Sequence, residues 1–166
     1  MIRKSLLTTA MVFALTLSAQ AADKWKIIHA GTLLADARED AKSEQSIIVK
    51  NKKIIEVRNG YVAASQVEGA TDAEIIDLKD QFVMAGMMDM HTHIMGQMSP
   101  NGRERAVTRS TPMKSLLGVE YGMRTLRAGF TSIRNVGGDR NAIFALRDAI
   151  NQDIVMGPRI KAAGQS

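Results

Sequence analysis

Hydrophobic positions along this chain change their rhythm at Gly86. Before it they come in short runs rich in β-branched residues: WKIIHAGTLL from Trp25, SIIVK from Ser46, KIIEVR from Lys53 and AEIIDLKDQFVM from Ala73. Asn51-Lys52 separates the second run from the third, and a polar stretch from Asn59 to Asp72 precedes the fourth. Short runs of this kind, bounded by turn residues, predict strands of a small sheet or sandwich. After Gly86 the order becomes strand, helix, strand, helix, strand. Thr111-Pro112 offers a cap residue and then a proline in the first turn of a helix. Leu116, Val119, Met123 and Leu126 follow at helical spacing and predict one apolar stripe. Gly129 ends that helix as a left-handed residue. FTSIRNV, residues 130–136, predicts the next strand, Gly137-Gly138 a turn, and Asp139 or Asn141 the cap of a second helix carrying Ile143, Leu146 and Ile150. Gly157-Pro158 closes that helix, and RIKAAG from Arg159 predicts a third strand. Strands alternating with helices imply parallel βαβ units, so the fold class is α/β.

The amino terminus carries a third pattern. Arg3 and Lys4 precede an uncharged run from Ser5 to Leu17 and a small-residue site at Ala19-Gln20-Ala21, which is the layout of a secretory signal peptide. The run is too short to cross a bilayer, which takes roughly 20 residues, and there is no cysteine to carry a lipid. The expectation is an exported protein, periplasmic or secreted, with no stable membrane insertion after cleavage. Three segments follow: a signal peptide at 1–21, N-terminal β strands at 22–83, and a βα segment at 84–166. Without cysteines, stability must come from packing or a bound metal, and thiol redox chemistry is excluded. Removing Arg3 and Lys4 takes two from the 22 basic residues against 17 acidic ones, leaving a net charge of +3. That charge is dispersed and few aromatics are interleaved with it, so no nucleic-acid partner is expected.

The candidate chemistry lies in FVMAGMMDMHTHIMG, residues 82–96, which holds two of the three histidines. Side chains alternate along a strand, so His91 and His93 are expected on one face, about 7 Å apart, with Met90 and Thr92 on the other. Two such imidazoles can converge on one ion. Asp89 is expected on the same face, one step deeper, where it could orient an imidazole. At the end of a strand that opens a βα series, the pair stands where α/β barrels keep their chemistry. A catalytic zinc site takes three protein ligands and one open position. His29 is the only other histidine, about 60 residues upstream in the first strand.

The segment VMAGMMDMHTHIMG resembles the V-x-P-G-x-x-D-x-H-x-H signature of the metal-dependent amidohydrolase superfamily. SIIVKNKKIIEV and AEIIDLKDQ resemble the N-terminal sandwich strands of those enzymes. LRAGFTSIRNVGG and GPRIKAAGQS are similar to the second and third barrel strands of the imidazolonepropionase-like and Xaa-Pro dipeptidase-like branch. The resemblance implies a (β/α)8 barrel preceded by a small β-sandwich. About three barrel strands and two helices are present here, against the roughly 250 residues that such a barrel takes. It implies His91 and His93 as metal ligands, one or two divalent ions with zinc as the expected metal, and hydrolysis of an amide, peptide or cyclic amide C–N bond in a small-molecule or dipeptide-like substrate. Family members complete the site with a lysine, two more histidines and an aspartate from later strands, so this chain is expected to be an N-terminal portion, inactive alone. The alternative is a truncated, non-catalytic exported protein that binds metal weakly. Two positions depart from the pattern: Ala85 replaces the usual proline, and Asn135 replaces the aspartate of related V-R-D segments, removing a charge.

Weaker features remain. IMGQMSPNGRERAVTRST, residues 94–111, is long for a βα connection and reads as a loop, in which Arg103, Arg105 and Arg109 could meet a substrate carboxylate. Gly137-Gly138 reads as a tight βα turn, since no phosphate-binding pattern accompanies it. Arg134 is left open between the barrel interior and a carboxylate partner.

Overall fold

The computed structural model describes residues 23–164, and the leader pattern at 1–21 lies outside them. The chain divides into two compact units at Val83/Met84, with Leu34–Asp40 grouped with the second. Among the described residues no helix is long and apolar enough to cross a membrane.

In the first unit the four expected strands form one sheet: β1 (Trp25–Leu34), β2 (Lys42–Lys50), β3 (Lys53–Asn59) and β4 (Glu74–Met84), in the order β3-β2-β1-β4. β2 pairs antiparallel with both β1 and β3. The β2–β3 turn has Asn51 and Lys52 at φ 48° and 70°, the left-handed pair whose twist suits a two-residue hairpin. Neighbouring residues of β2 go to different clusters. Ile48 packs with Ile27, Val67 and Ala70, whereas Ile47 packs with Ala30 and Leu33, so both faces of β2 are covered. Gly31 in β1 lies so close to β4 that a Cβ there would run into the Lys79 carbonyl.

The second unit holds a parallel sheet, β5 (Met87–Thr92), β6 (Phe130–Asn135) and β7 (Arg159–Ala162), in chain order. Its helices are α1 (Gly102–Thr108), α2 (Thr111–Arg127) and α3 (Arg140–Asn151). The core joins Ile133 and Ile160 of the sheet to Ala142, Ile143 and Leu146 of α3, together with Ile94 and Met95 beyond β5.

Three expectations need correction. The connection after β5 is not all loop, because residues 102–108 form the short helix α1, which was hidden among scattered charges. α3 ends at Asn151, well before Gly157-Pro158, which instead lead into β7. The apolar stripe on α2 is only partly buried: Leu116 is 66% exposed, Val119 is half-buried against the core, and the fully buried positions are Gly118 and Gly122. Gly118 has the Leu146 side chain against the spot a Cβ would take. Ser115 Oγ lies 3.3 Å from both the Thr111 and Ala142 carbonyls. Bare backbone, not a hydrophobic side chain, makes this helix contact close.

The other boundaries follow local chemistry. Gly129, at φ 92°, terminates α2. Asp139 caps α3, accepting from the Ala142 amide at 3.1 Å.

Candidate metal site at the end of β5

The β5–β6 register carries the first surprise. Met88, Ser132 and Arg159 form one cross-strand row, and Asp89, Ile133 and Ile160 form the next, which turns into the core. The following aligned row is Thr92, Asn135 and Ala162. Three steps on β5 therefore match two on β6, a bulge that interrupts strict alternation. Asp89 shares a cross-strand row with Ile133 and Ile160, and it lines one shallow pocket together with His91 and His93. Its Oδ1 accepts the His91 backbone N–H at 2.9 Å, bracing the strand across the irregularity.

His91 and His93 do come together. Their ring centroids are 5.8 Å apart, edge to face, and both side chains are exposed. With a metal–nitrogen bond of about 2.1 Å, two imidazoles on one tetrahedral ion have centroids roughly 5–6 Å apart, so the pair fits a shared ion. His93 Nδ1–H donates to the Gly137 carbonyl at 3.3 Å. A carbonyl only accepts, so Nδ1 is the donor in this bond, and in the neutral ring Nε2 is the nitrogen with the lone pair. Among the described residues, no group of three or more His, Cys, Asp or Glu stands close enough to hold a metal. His29 belongs to the other unit: it is buried in β1, and its Nε2–H donates to the Val62 carbonyl at 2.9 Å.

Asn135 is fully buried. Its Oδ1 accepts from Ile94 N at 2.8 Å and its Nδ2 donates to Gly137 O at 2.9 Å. Sequence reasoning registered only a missing charge here; an amide just before Gly-Gly was the sole clue.

His93 also borders a cavity of about 350 Å³ lined by Arg105, Arg109, Lys114, Gly137 and Asp139. Lys114 is committed to Asp139 at 3.4 Å. The Asp139 carboxyl is held below its usual range, first by the Thr111 hydroxyl at 2.7 Å, then by the Ala142 amide and by Lys114. Arg105 and Arg109, one helical turn apart, bring positive charge to the cavity, while Arg103 does not line it. Arg134 is exposed beside Met88, Met90 and Lys161.

Known proteins carry the same architecture. A solved Xaa-Pro dipeptidase with bound methionine in its active site superposes with a TM-score of 0.73 at 31% identity, over 86% of this chain and 34% of that one. Molinate hydrolase matches in fold, with a TM-score of 0.68 at 19% identity, over 87% of this chain and 30% of its own. Among curated proteins, adenine deaminase from Listeria monocytogenes is 29% identical over 126 residues, 68% of this chain and 20% of the enzyme. The chain thus spans about a third or less of these relatives. The amidohydrolase family model matches residues 82–166. With the family pattern running through β5, β6 and β7, this chain belongs to the amidohydrolase family, whose members generally bind divalent metals and hydrolyse C–N bonds.

Proposed function

We propose that His91 and His93 are two ligands of a divalent metal in a hydrolase of amide, peptide or cyclic amide bonds. The observation that carries this reading is the pair itself: two imidazoles 5.8 Å apart, one with its tautomer held by a backbone carbonyl. A divalent ion, zinc by the preference of imidazole nitrogen, supplies Lewis acidity toward a carbonyl and lowers the pKa of water. The chain's own residues hold and orient. His93 offers Nε2, His91 offers its ring alongside, and Asp89 braces the backbone at His91. The cavity next to His93, with Arg105 and Arg109 on its wall, suits a small substrate carrying an acidic group, such as a dipeptide. The leader pattern at residues 1–21 supports export to the periplasm or beyond.

A second reading is favoured by the count of ligands: the described residues supply two, and a catalytic zinc site takes three. On it, residues 1–166 bind metal weakly and do not turn over substrate. Calorimetric zinc titration of the chain and of His91→Ala, with a screen of dipeptides, separates the readings. Binding no tighter than about micromolar that His91→Ala abolishes, with no hydrolysis, is expected for a two-ligand site. Robust turnover would overturn the non-catalytic reading, and binding indifferent to His91→Ala would overturn the site.

A further inference from the structure

We infer that the Asn135 carboxamide sets the tautomer of His93, and so the nitrogen His93 presents outward, by fixing the Gly137 carbonyl to which both side chains donate. Asn135 Nδ2 reaches that oxygen at 2.9 Å and His93 Nδ1 reaches it at 3.3 Å. A carbonyl oxygen has two lone pairs, so it serves both donors at once. The other end of the same carboxamide accepts the N–H of Ile94, next in the chain after His93, at 2.8 Å. One side chain from the end of β6 therefore ties down both the backbone beside His93 and the acceptor of its ring.

The orientation of the amide is forced. Turning it over would set its NH2 against the Ile94 N–H and its oxygen against the Gly137 carbonyl. Asn135 is fully buried, so no solvent is at hand to mend either mismatch. An aspartate at this position keeps the acceptor for Ile94 and loses the donor for Gly137, placing two oxygens together. The Gly137 carbonyl would then leave its place, and His93 would lose the partner that keeps its proton on Nδ1. Asn135 touches no ion in this scheme; it is a positioning residue acting through Gly137 and His93. Only the metal consequence rests on the proposed function, because the tautomer belongs to the free chain.

The test is a two-bond proton–nitrogen correlation spectrum of the ¹⁵N-labelled 166-residue chain without metal, at a pH that keeps the rings neutral. His93 is expected to show a protonated Nδ1 and a bare Nε2. Asn135→Asp should convert it to a tautomer mixture or to the Nε2–H form, whereas Ile133→Val, which disturbs packing in the same strand, should leave it unchanged. In parallel zinc titrations Asn135→Asp should bind about tenfold more weakly, the usual scale for losing an orienting contact behind a ligand, with Ile133→Val unaffected. A wild-type His93 carrying its proton on Nε2 would overturn the inference, even if Asn135→Asp does not fold. So would a tautomer that Asn135→Asp does not move. If wild type shows Nδ1–H but takes up no zinc, the metal reading fails and the positioning role stands.

Discussion

His29 and His93 each donate one ring proton to a backbone carbonyl, yet they belong to different kinds of chemistry. His29 is 8% exposed, its ring lies 5.2 Å from that of Tyr61, and its second nitrogen is buried with no partner. It serves as a core side chain with one polar bond. His93 has its Nδ1 bonded to a backbone carbonyl, is exposed, and has a second imidazole alongside. A hydrogen bond alone therefore does not distinguish structure from function. The fate of the opposite nitrogen does.

The sharpest way to break this contrast is reciprocal substitution. His91→Ala combined with His93→Ala should remove specific zinc binding altogether and shift stability by only about 0.5 kcal/mol, as exposed substitutions do. His29→Ala should do the reverse, costing about 2 kcal/mol through lost packing and an orphaned Val62 carbonyl while leaving zinc affinity unchanged. Titration calorimetry and thermal melts on both variants measure this directly, and a zinc effect from His29→Ala would erase the distinction.

A second substitution asks whether the two units respond separately. Gly31→Ala sets a Cβ against the Lys79 carbonyl, an overpacking expected to cost about 1–3 kcal/mol. Hydrogen exchange should report that loss in β1 and β4, with the His91–His93 resonances unmoved.

The smallest effect concerns the cavity beside His93. Asp139→Asn keeps a capping oxygen but loses the carboxylate held by Thr111, Ala142 and Lys114, for about 1 kcal/mol at neutral pH. Because folding depresses the Asp139 pKa, its contribution is present above the unfolded carboxylate pKa of about 3.9 and fades as pH falls through the lower folded value. The melting difference between wild type and Asp139→Asn should therefore be constant near neutrality and close in acid. A difference that widened in acid would contradict the assigned contacts.

Much of this architecture was legible in the residues because it rests on local rules. The β2–β3 turn, the start of α2 at Thr111-Pro112, its end at Gly129 and the Asp139 cap all depend on neighbours within a few positions. What the sequence hid depends on distant partners. Leu116 belonged to a stripe by spacing, but α2 packs through Gly118 and Gly122, where the absence of a side chain lets Leu146 approach. Helix α1 escaped notice among arginines and a Pro-Asn-Gly start, where composition resembles a loop. The H-x-H spacing announced the histidine pair, whereas the orienting roles of Asn135 and Gly137 come from contacts more than 40 positions away in the chain. The break in the β5 ladder between Asp89 and Thr92 was hidden too, since alternation assumes an unbroken ladder.

That interruption limits what can be borrowed from this strand. Grafting H-x-H onto a regular strand of another scaffold would transfer the spacing without the backbone under it, because here three steps on β5 between Asp89 and Thr92 match two on β6. A designer copying this grip has to copy that irregularity together with the spacing.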